Sequence, residues 1–157
     1  MSKTSYKPAD YPTITPYLII RGAAGAIDFY KKAFDAKVTV RMDGPDGKLA
    51  HGELQIGESR FMLGEEQAQM GTGFKSPATV GGNPVSIYLY VPDVDQVIAK
   101  AVAAGAKILR PVKDQFYGDR TGFIEDPYGH LWTVATRVEE VTPEMMKERM
   151  KTMAPPA

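Results

Sequence analysis

Cysteine is absent from the 157-residue chain, which excludes disulfides, thiolate zinc sites and a cysteine nucleophile together. A surplus of charge is absent as well. Nineteen Lys and Arg balance nineteen Asp and Glu, so no general field draws the chain to nucleic acid or to an anionic membrane. Apolar runs extend only a few residues, far short of the ~20 that span a bilayer. The opening MSKTSYKPADYP has no apolar stretch of the kind a secretory signal carries. These absences lead to the expectation of a cytoplasmic protein with a small-molecule ligand and no nucleic-acid or membrane partner. What is present is ordinary for a soluble globular chain, 43% hydrophobic and 24% charged. The length suits one domain or two very small ones.

Both ends read as peripheral. Residues 1–13 form an N-terminal extension with Pro8 and Pro12 and no periodicity, and 154–157 read APPA. Between them one pattern occurs twice. Residues 14–21 are strand-like and 23–34 helical, with Ala26, Ile27, Phe29, Tyr30, Ala33 and Phe34 on one apolar face. Strands follow at 36–42, 48–56 and 59–64, the last two joined by a tight turn at Gly57-Glu58. The second round begins with a strand at 84–91. Asp93 and Gln96 are spaced as a helix N-cap and its partner, and Val94, Val97, Ile98, Ala101 and Val102 make the stripe that follows. Gly105 suits the helix end, and strands at 106–112, 119–125 and 130–137 complete the round. A shift of 70 residues lays Ala36-Lys37-Val38 on Ala106-Lys107-Ile108. The fold class is therefore α+β: two tandem βαβββ modules at 14–66 and 84–138, in one domain, joined by a Gly-rich linker at 67–83. Residues 139–157 hold a C-terminal helix starting at Thr142-Pro143-Glu144, and Met146, Met150 and Met153 form a stripe suited to packing on the body or on a partner subunit.

Each module has one helix, which covers one sheet face. In the hairpin 48–64, alternation places Leu54, Ile56, Phe61 and Leu63 toward the helix and His51, Glu53, Gln55, Arg60 and Met62 on the other side. Such a face is commonly just solvated, but imidazole, carboxylate, amide and guanidinium together can also bind a polar ligand. The matching face of 84–91 carries Ser86, Tyr88 and Tyr90. Trp132 alternates with Thr133 and belongs to the core, and His130 is a hairpin residue beside DPYG. In QFYGDR, Phe116, Tyr117 and Arg120 either gate a ligand with stacked rings or stand idle while Asp119 and Arg120 pair with each other.

Tandem βαβββ units, AIDFYKKAFDAK in the first helix and FIEDPYGHLW near the end together resemble the vicinal-oxygen-chelate superfamily of glyoxalase I, extradiol dioxygenases, fosfomycin-resistance enzymes and bleomycin-binding proteins. AHGELQIGESRFML and YGDRTGFIEDPYGHLWTVAT, separated by the Gly-rich linker, are similar to its PhnB-like branch over about residues 14–140. The resemblance implies a U-shaped, cleft-enclosing mixed sheet and a homodimer. It also implies four metal-ligand positions, one on each of four strands, which here hold Thr15, Met62, Ser86 and Thr133. None is a usual ligand for a borderline divalent metal, so no metal or other cofactor is expected. The expected function is small-molecule binding, with Tyr88 and Tyr90 as flat contacts and His51, Glu53, Gln55 and Arg60 orienting polar groups. The alternative is a lyase or isomerase in which His51 and Glu53 transfer a proton or bind a metal.

Overall fold

A computed structural model describes residues 4–152. The chain runs β1 (Tyr17–Ile20), α1 (Ala23–Phe34), β2 (Lys37–Asp43), β3 (Leu49–Ile56), β4 (Ser59–Glu65), a short α2 (Pro77–Val80), β5 (Ser86–Tyr90), α3 (Val94–Ala103), β6 (Lys107–Asp114), β7 (Asp119–Glu125), β8 (Leu131–Arg137) and α4 (Pro143–Thr152). Contacts divide it into two units, one of residues 4–84 with 127–129, the other of 85–126 and 130–152. Each unit holds one four-stranded mixed sheet, ordered β1-β4-β3-β2 in the first and β5-β8-β7-β6 in the second. The first and last strands of each module pair in parallel and the others antiparallel. The duplicated βαβββ pattern expected from the sequence is the observed one.

In the first unit α1 buries Ala23, Ala26, Ile27, Phe29, Tyr30, Ala33 and Phe34. Tyr30 meets Phe61 of β4 edge-on at 5.3 Å between ring centroids, a favoured aromatic geometry. Gly22 offers no side-chain cap. Instead Glu65 at the end of β4 accepts from the Gly22 and Ala23 amides at 2.9 and 2.8 Å, so a carboxylate sits where the helix dipole is positive. In the hairpin Gln55 pairs with Arg60, Leu54 with Phe61 and Glu53 with Met62. Gly57 at φ 56° makes the two-residue turn possible.

In the second unit Asp93 caps α3 by accepting from Gln96 N at 3.0 Å. Val94, Ile98 and Ala101 are buried, whereas Val102 is 42% exposed and belongs to the solvent side, contrary to its place in the expected stripe. Trp132 is buried and donates from Nε1 to Asp126 Oδ2 at 3.0 Å, while Asp126 Oδ1 holds His130 N. The same carboxylate thus closes the DPYG turn and satisfies the core indole.

The connection after β4 is more ordered than its composition suggests. Glu66 accepts from Ser76 N and Oγ at 2.7 and 2.9 Å, from the Thr79 hydroxyl and from Arg21, drawing the chain into α2. These bonds, Thr79's first and the Ser76 amide next, hold the Glu66 carboxyl down at about 2. In α4 no residue is buried; Met146 is half-buried, Met150 is exposed and Met153 lies outside the described residues. Arg149 fastens α4 by pairing with Glu139 and donating to Phe116 O at 2.8 Å.

Candidate functional site

Alternation along β3 and β4 puts His51, Glu53, Arg60 and Met62 on the sheet face opposite α1, and β1 adds Tyr17, the register partner of Met62. These side chains are joined rather than merely adjacent. His51 Nε2 lies 3.0 Å from Glu53 Oε1, and His51 Nδ1 lies 3.2 Å from the Tyr17 hydroxyl. An ionised Glu53 only accepts, so a neutral His51 presents Nε2–H to it and accepts at Nδ1 from Tyr17. Tyr17 reaches this position because β4 has Gly64 beneath it; a Cβ there would stand 2.7 Å from the Tyr17 hydroxyl. Burial at its hydroxyl end pushes the Tyr17 phenol above its ordinary value.

Glu53 is 8% exposed, and its second oxygen accepts from the Tyr11 hydroxyl. Arg60 lies 4.9 Å above the Tyr11 ring and 3.9 Å from Asp10. The N-terminal segment, which the sequence marks as peripheral, therefore supplies a member of the cluster. Nothing in its composition indicates this, because a non-repeating stretch between Pro8 and Pro12 has no periodicity to place its side chains. Tyr17, by contrast, was accessible to the alternation argument as the cross-strand neighbour of Met62. Gln55 stands apart from the cluster and donates to Gly57 O at 2.8 Å, bracing the turn.

The corresponding face of the second unit is built around Asp119, which is 6% exposed. Its Oδ2 accepts from Tyr88 and Tyr90 hydroxyls at 2.9 and 2.8 Å, and Tyr117 hydrogen-bonds Tyr88. Burial first, then the bonds to Tyr117 and Asp119, raises the Tyr88 phenol; the Asp119 bond is the main cause of the rise at Tyr90. The two rings stand 5.2 Å apart. Ser86 and Thr133 share this face, their hydroxyls 3.4 Å apart. Arg120 does not belong to it. As the neighbour of Asp119 along β7 it points to the α3 side, where it binds Asp95 at 2.7 and 2.9 Å and Asp114 at 2.9 Å. Neither alternative expected for Arg120 holds: it neither joins the tyrosines nor pairs with Asp119.

The sequence profile of the Glyoxalase/Bleomycin resistance protein/Dioxygenase superfamily matches residues 13–134. The chain belongs to this superfamily. An uncharacterized protein of Mycobacterium tuberculosis is 43% identical over 140 residues, covering 88% of this chain and 82% of its own length. An uncharacterized Arabidopsis thaliana protein is 29% identical over 126 residues, 76% of this chain and 74% of its own length. Among solved structures, TioX from Micromonospora shares the fold at a TM-score of 0.64 and 22% identity, over 81% of this chain and 99% of that one. The Bacillus cereus PhnB protein, described as a putative 3-demethylubiquinone-9 3-methyltransferase, does so at 0.63 and 21%, over 80% and 99%.

The resemblance to the superfamily's metal-dependent members implies ligand positions that here hold Thr15 and Met62 in the first unit and Ser86 and Thr133 in the second. Thr15 Oγ1 lies 3.4 Å from Pro12 O, as a donor, and the other three are two hydroxyls and a thioether. Such groups do not hold a borderline divalent metal. Among the described residues no three His, Asp or Glu side chains gather as an alternative donor set. The residues present do not fit the family metal.

Proposed function

We propose that this superfamily member binds a small molecule on the helix-free face of its first unit, without the family metal. One observation supports the reading above the others: a nearly buried carboxylate, Glu53, sits between His51 and Tyr11 with Arg60 alongside. Burying a charge on a sheet face costs free energy unless it is paired, and a solvated face has no need of it. The tyrosine face of the second unit offers flat, amphipathic contacts of the kind ligands use. Met62 lines the first face, and Ser86 and Thr133 the second. Exposed Val38 and Met42 on β2, an edge strand, support association with a second copy. Metal analysis of protein purified without chelator, followed by thermal-shift screening, tests the reading. A bound ligand at 100 times its dissociation constant raises stability by about 2.7 kcal/mol. The shift should vanish in Glu53→Gln. Stoichiometric zinc or nickel overturns it.

The chain Tyr17–His51–Glu53 favours a second reading, proton transfer in a lyase or isomerase. Glu53 fixes the imidazole tautomer and Tyr17 is the outer, exposed group. Turnover of methylglyoxal with glutathione, abolished in His51→Ala, would establish it.

A further inference from the structure

We propose that the helix-free face of the first unit takes a hydroxyaryl ligand, a neutral phenol-bearing molecule, in the place that Tyr11 of the chain's own N-terminal segment holds. This rests on the reading of that face as a small-molecule site and adds the ligand's chemistry.

Tyr11 sits there as a ligand would. It lies in neither helix nor strand, and its backbone bonds are local: its amide donates to Pro8 O at 3.2 Å and its carbonyl accepts from Lys7 Nζ. It meets the sheet through its side chain, with the ring under Arg60 and the hydroxyl on Glu53 Oε2. Segments held by a few side-chain contacts detach at lower free energy than strands held in a ladder.

Three groups then decide what can replace it. Glu53 Oε1 is engaged by His51, so departure of Tyr11 strips a donor from Oε2 of a carboxylate that is 8% exposed. A buried acceptor left without its donor is costly, so the replacement must donate a hydrogen bond. Arg60, with its side chain 15% exposed, favours a flat π-face over an aliphatic group. Glu53 and Arg60 carry opposite charges at the two ends of the Tyr11 ring, so the place calls for no net charge on its occupant. A neutral ring bearing a hydroxyl satisfies both. Because Tyr11 competes for the same atoms, apparent affinity falls by the fraction of molecules in which it is displaced.

The test uses the full chain and two probes, 4-methylphenol, which reproduces the tyrosine side chain, and 4-methylanisole, which cannot donate. In calorimetric titrations Tyr11→Ala should bind 4-methylphenol at least about tenfold more tightly than the unsubstituted protein. It should prefer 4-methylphenol to 4-methylanisole by a similar factor, and adding Glu53→Gln should erase that preference. In the unsubstituted protein, 4-methylphenol but not 4-methylanisole should shift the His51 ring resonances, a readout independent of how Tyr11→Ala folds. Equal affinity with and without Tyr11, or no preference between the probes, overturns the inference. If other small molecules still bind in a Glu53-dependent way, the site itself stands and only the hydroxyaryl class falls. If binding ignores Glu53 altogether, both fall.

Discussion

The two units carry the same strand order, and the same register in the ladders of their last strands, yet their helix-free faces hold different chemistry. Tyr17 pairs in register with Met62 in the first unit, and Tyr88 with Thr133 in the second. The two tyrosines therefore occupy equivalent places. Through the same ladders Glu53 corresponds to Phe123 and His51 to Thr121. Tyr17 finds an imidazole beside it, while Tyr88 reaches Asp119 near the end of its sheet. Arg60 lies over the ring of Tyr11, and Arg110 of the second unit lies 5.8 Å over the ring of Phe123. One scaffold thus displays an acid–imidazole pair in one copy and a carboxylate held by phenols in the other. The core faces, where packing sets the demands, stay alike: Gly52 and Gly122 fill the same register position, and at each a Cβ would press on apolar side chains at 3.0–3.3 Å.

The comparison can be strained hardest in the cores. Phe61 and Trp132 are register equivalents, opposite Leu54 and Ile124 in their hairpins. Each truncation to alanine should cost about 3–5 kcal/mol, measured by urea unfolding. Trp132→Ala should be the worse of the two, because it also leaves Asp126 Oδ2 without its indole donor. Similar losses would mean that the bond to Asp126 is energetically idle.

Next come the two carboxylates. Glu53→Gln and Asp119→Asn each weaken charged hydrogen bonds inside a face, worth roughly 1.5–3 kcal/mol apiece. Glu53→Gln alone should release the N-terminal segment, visible as faster cleavage between Ala9 and Asp10 by an Asp-specific protease. If Asp119→Asn does the same, release of the segment does not report the bond between Tyr11 and Glu53.

Phenol titration sharpens the contrast without large changes in stability. Asp119 raises both Tyr90 and Tyr88, so Asp119→Asn should let both ionise at lower pH, Tyr90 through loss of its main cause. Tyr17 is raised by burial alone and should titrate unchanged in Glu53→Gln. Ultraviolet difference spectra across alkaline pH decide this.

The smallest effect concerns the segment that only the first unit carries. Glu66 is held below its unfolded value of 4.5, at about 2. Its contribution is therefore complete above about 4.5 and is lost as pH falls toward about 2. Amide exchange over residues 76–80 should accelerate in that window while β8 stays protected. Uniform acceleration in both would show that acid acts on the whole molecule rather than on this tie.

Much of this architecture was legible from pattern alone. Helix bounds at 23–34, the Gly57-Glu58 hairpin and the Asp93 cap all follow from periodicity and turn chemistry acting over a few residues. Strand β1 begins at Tyr17 rather than at residue 14, because Pro16 has no amide to give a ladder. The faces of β3 and β4 were legible too, since alternation assigns each side chain a side. Arg120 departs from expectation because its partner Asp95 comes from α3, a contact that no spacing within QFYGDR contains.

Local order and sidedness were thus the property of the sequence itself, which determined the duplicated βαβββ units and their apolar faces. Tertiary structure alone decided that Tyr11 caps Glu53, that Asp119 gathers two phenols and that Arg120 turns to α3. The physical reason is range. Backbone periodicity acts between residues two to four apart, whereas a hydrogen bond between side chains 42 positions apart exists only once the sheet has brought its ends together.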